Sequence, residues 1–495
     1  MKRQLPLFVL QLLAGAIAAL GQAPFDYPVL MGVGLTIAFY QAAKADTPRA
    51  AALTGFAVGF SYFSITLHWI VSPFLVDVAR HGWMAPFAVV LMATGGALFW
   101  SVAFWAARRL SAQLWVLVPC WAGVELLRAY IFTGFPWATP AQATVDTLAG
   151  QALAWIGPHG VNLLLLGVAY AFARMAKWAY AVQIAVQVAV LSVLAIPPMA
   201  TEASLSQSTL RLVQPNAPQA EKWDPEKIRV FYERQLAFTA APPDAALGAP
   251  DAVIWPETAI PWNLVYAEPI LREISATALG VPVILGVQRT QEERHYNSLV
   301  ALGPQGEVTQ TYDKHHLVPF GEYVPLGNFM ARFGIYGMAP QHGAGFSAGG
   351  GPALMDLGAL GLALPLICYE AVFAHDAGAA PARPDFIIHA TNDAWFGQHA
   401  GPQQHLAQAR MRAIERGLPV ARAANTGISA MIDPHGRITA SLGMGQAGFV
   451  DAALPEPLAP TLYSRKGDLP VALLIALLLG AALLRTRTIG RTLAE

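Results

Sequence analysis

The chain has 495 residues, of which 55% are hydrophobic and only 13% charged, against roughly 25% charged in an ordinary soluble domain. Its 31 basic and 31 acidic side chains cancel, and with no basic block there is no electrostatic footprint for nucleic acid. Mean hydropathy is +0.44 and the apolar residues crowd into 1–200 and 469–484, which excludes a wholly soluble protein.

A helix that crosses a bilayer needs about 20 predominantly apolar residues. By that measure the first part of the chain predicts seven spans, at 5–22, 27–43, 51–72, 83–106, 113–131, 152–173 and 178–198, and the end predicts an eighth at 468–484. Short loops rich in Lys and Arg stay in the cytoplasm. With Lys2 and Arg3 inside, so are the loops holding Lys44 and Arg49, Arg108 and Arg109, and Arg174 and Lys177, and the tail with Arg485, Arg487 and Arg491. The opposite loops carry little positive charge beyond Arg80. The expected organisation is a seven-helix transmembrane domain (1–200), an outward-facing catalytic domain (205–460), and a C-terminal helix with a cytoplasmic tail (468–495). Two alternatives are a cleaved signal peptide over 1–23 and a re-entrant second span. Glu125 and Arg128 are the main charges within a span, either paired with each other or lining a polar groove.

Between spans seven and eight the pattern changes. Strands are predicted at 209–214, 251–257, 281–287, 297–303, 359–370, 385–393 and 427–433, with helices over 225–240, 268–279 and 402–416. Apolar runs alternating with helices point to α/β layers with sheets buried on both faces. Glu257 follows Pro256, which holds Trp255 extended and sends the carboxylate out from a strand tip. Cys368 ends another strand, and Lys314 lies in a proline-bearing loop. Strand tips and their loops are where α/β folds assemble sites.

Those three residue types suffice for acyl transfer. A thiol becomes a good nucleophile when a base or a nearby cation favours its thiolate. Glu257 can take the proton, Lys314 can stabilise the thiolate and the ensuing oxyanion, and the Tyr369 N–H is a second oxyanion donor. The only other cysteine, Cys120, sits in an apolar span, and an unpaired thiol kept in an oxidising compartment is one in use. His315 and His316, and His399 and His405, lack zinc spacing with cysteine partners, so no metal and no cofactor is expected. Arg410, Arg412 and Arg416 read as a salt-bridged helix face, and the Gly-rich 342–352 as a lid or a plain loop.

The ordered set "WPETAIPW", "DKHHLVPFGEYVP", "ICYE" and "NDAWFG" resembles the nitrilase superfamily of carbon-nitrogen hydrolases. With "FTGFPW" and the helices ahead of it, the chain is similar to that superfamily's membrane branch, the bacterial apolipoprotein N-acyltransferases. The resemblance implies an α-helical membrane bundle joined to an αββα sandwich with a Glu257–Lys314–Cys368 triad. It further implies Glu322 as an accessory acid, Tyr369 and Glu370 flanking the nucleophile, and Trp223, Asn297 and Trp395 around the pocket. The implied partners are a phospholipid acyl donor, a diacylglyceryl-apolipoprotein acceptor and the bilayer, with the enzyme a monomer. The implied location is the bacterial inner membrane, with catalysis on the periplasmic side. The alternatives are a membrane-anchored nitrilase-type amidase acting on a small amide, and an inert scaffold or transporter.

Overall fold

A computed structural model describes residues 4–175, 203–325 and 345–492, with a few isolated positions between them. The predicted span 178–198 and the first three residues of the Gly-rich run lie outside the described residues. The chain divides into two compact units, one of residues 1–200, 399–407 and 460–495, the other of residues 201–398 and 408–459.

The first unit is helical. Val78–Leu110 and Leu148–Arg174 are long and apolar enough to cross a membrane, and Pro48–Thr66 with His68–Leu75 forms a further candidate bent by 46°. Leu7–Ala19, Pro28–Ala43 and Leu469–Arg485 are shorter apolar helices. The predicted fifth span is 12 residues of α-helix, Leu117–Arg128, after one 3₁₀ turn. Only part of the expected span count is therefore met by length. Leu91, Leu98, Val102, Trp155 and Leu477 are exposed, an outward apolar surface that water would penalise and lipid would not.

Small residues let these helices approach closely. A Cβ on Gly55 would lie 2.7 Å from the Trp100 carbonyl oxygen, so a larger side chain would push the helix Pro48–Thr66 away from the one that carries Trp100. Gln404, within this unit, accepts from Trp69 and Trp137 at 3.2 and 2.8 Å and donates to the Ala23 and Thr66 carbonyls. Glu125 and Arg128 form a buried pair at 2.6 Å rather than a groove lining. Arg128 also donates to the Phe135 and Trp137 carbonyls, and Trp100 Nε1 donates to Glu125.

The second unit is built on two six-stranded sheets. The first comprises β1 (Leu205–Gln214), β2 (Ala252–Ile254), β3 (Val283–Gln291), β4 (Arg294–Leu302), β5 (Val308–Asp313) and β12 (Gly448–Pro455), in the order β12-β1-β2-β3-β4-β5. The second comprises β6 (Met355–Asp356), β7 (Leu362–Ile367), β8 (Phe386–Thr391), β9 (Val420–Ala424), β10 (Ser429–Ile432) and β11 (Ile438–Leu442), in the order β11-β10-β9-β8-β7-β6. Each sheet has a parallel trio, β1-β2-β3 or β7-β8-β9, flanked by antiparallel strands.

One apolar core joins Leu212, Ile254, Ile284 and Leu299 of the first sheet to Ile367, Ile388, Ala421 and Met431 of the second. A second core packs Val253, Val283 and Leu285 against Tyr232, Leu271 and Ile274 of the helices Ile228–Ala240 and Glu268–Thr277. Burial on both faces explains why these strands read as apolar runs rather than as alternating ones. The parallel trios run toward the residues that follow Ile254 and Ile367, and so bring Glu257 and Cys368 beyond the same kind of strand end.

Candidate active site

Glu257 lies three residues past β2, where the chain turns sharply. Thr258 has φ +46°, a left-handed conformation uncommon for a β-branched residue. Gly286 on β3 makes room for the turn: a Cβ there would lie 2.5 Å from the Thr258 nitrogen and 2.6 Å from the Glu257 Cα. The Glu257 carboxylate is consequently fixed from three sides. Asn297 Nδ2 donates to Oε1 at 2.6 Å, the Asn392 N–H donates to Oε2 at 2.8 Å, and Lys314 Nζ lies 3.5 Å from Oε1.

Lys314 follows β5 directly, and its N–H continues the ladder to the Asn297 carbonyl at 2.9 Å. Its ammonium donates to Glu322 Oε1 at 2.9 Å, and Asn297 Nδ2 also reaches Glu322, at 3.2 Å. Glu322 Oε2 accepts the Val318 N–H at 2.8 Å, which ties the following loop to the lysine. Burial works against the Lys314 charge, but Glu322 and Glu257 prevail and hold its pKa above the ordinary lysine range.

Cys368 begins a 3₁₀ turn, Cys368–Val372, with φ +50°. The strand therefore does not run on to 370 as predicted: it stops at Ile367 because the backbone reverses at the thiol. Glu370, fully buried, holds that reversal. Its Oε2 accepts the Ile367 N–H at 2.7 Å, and its Oε1 accepts from Tyr312 Oη and from the His315 and His316 N–H groups. Beneath Cys368, Arg422 donates to His389 Nδ1 at 2.8 Å, which leaves Nε2 as the protonated nitrogen that donates to the Cys368 carbonyl at 3.1 Å. Arg422 is paired with Asp393 at 2.5 Å.

Burial and the neighbouring Glu257 charge push the Cys368 thiol above its ordinary range, outweighing Lys314 and a hydrogen bond with Thr391. At rest it is a neutral thiol, so a proton acceptor is needed to make it a nucleophile. Of the two carboxylates that act on the thiol, Asp393 is paired with Arg422, whereas Glu257 has its nearest ammonium, Lys314, at 3.5 Å.

Glu257, Lys314, Cys368, Glu322, Asn297 and Glu370 thus meet in one place, with Tyr369 edge-on to His316 and Phe373. Trp223 is half-buried and lines a small cavity that includes Pro256. Trp395 is half-buried on the turn Asp393–Phe396, three residues beyond Asn392. Arg412 pairs with Glu415, whereas Arg410 and Arg416 donate to the Gly436 and Ala374 carbonyls.

Three contributors escaped the sequence reading. Asn392 stands in the same "NDAWFG" run as Trp395, Tyr312 is two residues from Lys314, and Lys222 adjoins Trp223. Their nearness to recognised residues was the available signal. His315, His316 and Asp376 have ligand atoms within 4.8 Å of one another and are the group among the described residues able to hold a metal ion. Their contacts are those of a hydrogen-bonded cluster: His316 Nδ1 lies 2.7 Å from Asp376, and His315 Nδ1 lies 2.7 Å from Glu370.

Residues 14–171 match the family model of the apolipoprotein N-acyltransferase N-terminal domain, and residues 209–460 match that of carbon-nitrogen hydrolase. The apolipoprotein N-acyltransferase of Rhodopseudomonas palustris is 36% identical over 97% of this chain and 96% of its own. That of Caulobacter vibrioides is 36% identical over 97% and 95%, and that of Brucella suis 35% over 95% and 94%. Among solved structures, an amidase from Nesterenkonia sp. covers 55% of this chain and 97% of its own at 18% identity, with a TM-score of 0.38. With relatives matched along nearly the whole of both chains, this protein belongs to the apolipoprotein N-acyltransferase family and is an acyltransferase with a carbon-nitrogen hydrolase domain.

Proposed function

We propose that the protein transfers a fatty acyl chain from a membrane phospholipid to the α-amine of an apolipoprotein's S-diacylglyceryl cysteine, through a thioester on Cys368. The observation that carries this reading is the neutral, buried thiol beside a carboxylate held by Asn297, Asn392 and Lys314. Glu257 takes the thiol proton as sulfur attacks the donor's ester carbonyl. The C–S bond forms, the ester C–O bond breaks, and Glu257 returns the proton to the departing lysophospholipid. Lys314 and the Tyr369 N–H stabilise the intervening oxyanion. The acceptor amine then attacks the thioester; a C–N bond forms, the C–S bond breaks, and the amine proton passes through Glu257 to the leaving thiolate. Exchanging a thioester for an amide is downhill, so neither ATP nor a cofactor is required.

In this reading Glu322 positions Lys314, Glu370 shapes the cysteine turn, and Trp223, Asn297, Tyr369 and Trp395 line the path of the substrates. The helices form eight spans of a monomer in the bacterial inner membrane, with the catalytic domain on the periplasmic side. This arrangement supplies both lipids from the outer leaflet. Incubation with phospholipid alone tests the chemistry: a hydroxylamine-labile adduct on Cys368 should accumulate, and a free α-amine acceptor should discharge it. Rapid discharge by water would favour an amidase, and an adduct formed only with acceptor present would overturn the two-step scheme.

A further inference from the structure

Lys222 is a buried cation that the chemistry above leaves without a task. It is 6% exposed, and its ammonium donates to the Glu257 carbonyl at 3.2 Å and to Thr258 Oγ1 at 2.8 Å. No carboxylate lies within ion-pairing distance of it among the described residues. The Trp223 ring centroid is 5.1 Å from Nζ. A buried ammonium without a salt bridge is costly, and the cost is tolerated where the charge serves something nearby. Burial indeed lowers its pKa to about 8, and the Glu257 charge opposes that fall.

Two features show what it serves. The first is backbone geometry. Lys222 grips both sides of the Glu257–Thr258 peptide, where Thr258 sits in the left-handed region and Gly286 packs from the other side. A β-branched residue in that region is strained and persists only when its surroundings over-determine it. The second is charge balance. Glu257 and Glu322 share one Asn297 amide and one Lys314 ammonium, so the local set is one positive charge short. Lys222 supplies it from behind Glu257.

We propose that Lys222 is a positioning residue for Glu257: it locks the turn that aims the carboxylate at Cys368 and adds a positive charge behind the two acids that share Lys314. The inference rests on the reading of Glu257 as the base. The charged groups facing Glu257 are Lys314 and Lys222, with Glu322 sharing Lys314; those facing Cys368 are Glu257, Lys314 and Asp393.

The test uses the full-length protein in phospholipid vesicles. Alkylation of Cys368 by iodoacetamide, followed by mass spectrometry across a pH series, reports thiolate formation without involving the acyl donor. Formation of the acyl-enzyme from the same vesicles reports the first half-reaction. Lys222→Met should slow both about tenfold, equivalent to one pK unit, and move the alkylation midpoint to higher pH. Thr258→Val, which removes one acceptor and keeps the β-branch, should slow both by a smaller factor at the original midpoint. A lower melting temperature for Lys222→Met with unchanged rates and midpoint would make Lys222 merely structural and overturn the proposal. Should that variant not fold, Thr258→Val decides, and wild-type rates there overturn it. If alkylation depends on Lys222 while the wild type forms no acyl-enzyme, the acyl-transfer reading fails and the positioning role stands.

Discussion

Two buried ionic clusters, one in each unit, are built on opposite plans. Glu125 and Arg128 match one negative with one positive charge, and every neighbour adds a hydrogen bond: Trp100 to the carboxylate, the Phe135 and Trp137 carbonyls to the guanidinium. Around Lys314, two carboxylates share one ammonium and a single amide donor, beside a thiol that burial keeps neutral. A balanced, saturated pair in an apolar setting is a fastening. A cluster in which two carboxylates divide one ammonium between them, with an ionisable hydrogen close by, is poised for proton transfer.

Variants can break that contrast, beginning with the largest effect. Cys368→Ala should yield no acyl adduct at all with phospholipid, and recovery of one by mass spectrometry would remove the cysteine from the mechanism. Glu257→Gln should lower the rate of adduct formation by roughly 10³ with the melting temperature nearly unchanged, because an isosteric amide keeps the packing and loses the base. Arg128→Met should do the reverse. Leaving Glu125 buried and unpaired costs about 3–5 kcal/mol, so thermal unfolding in detergent should fall by many degrees while surviving molecules acylate normally. Equal losses in both measurements for either variant would erase the distinction.

Glu322→Gln sharpens it further. Lys314 would keep Glu257 but lose its nearer partner at 2.9 Å, and we expect about tenfold slower acylation, a loss in the range of one charged hydrogen bond. Wild-type turnover would make Glu322 a loop fastener only. The smallest effect concerns His315, whose pKa rises to about 9: burial opposes the charge, and Asp376 and Glu370 overcome it. A raised pKa means the stabilisation is fully present below about 6.5 and is lost as pH climbs through about 9. His315→Gln should therefore flatten the melting-temperature profile between those limits, and a profile parallel to wild type would show that the imidazole carries no net charge there.

What the sequence revealed depended on whether the signal was local. The run at 209–214 falls within β1, with Arg211 buried against Asp451, and the run at 281–287 overlaps β3 from Val283 on, where burial on both faces leaves no polar interruption. β5 (VTQTYD), β9 (VARAA) and β11 (ITASL) went unread: one is mostly polar, one alanine-rich, one an exposed edge, and each is a strand only because a partner strand is there. "DAVIWPE" shrinks to three ladder residues once Pro256 removes a donor. The pairing of Glu125 with Arg128 was one of two local options, and the helical three-residue spacing decides it. Asn392 and Lys222 were illegible for a different reason. They reach Glu257 across 135 and 35 residues of chain, and no periodicity encodes a contact between loops. Span counting suffered from the converse difficulty, since apolar composition extends through 3₁₀ turns and bends that a 20-residue window cannot distinguish from continuous helix.

The left-handed backbone at Cys368 has a consequence for how this protein tolerates change. A side chain there is strained by of order 1–2 kcal/mol, a cost glycine would not bear. Folding by itself favours glycine at this position, whereas the proposed thioester chemistry requires the thiol. The position is therefore a point of tension between stability and activity, and a population of variants screened only for expression should drift away from Cys368 first.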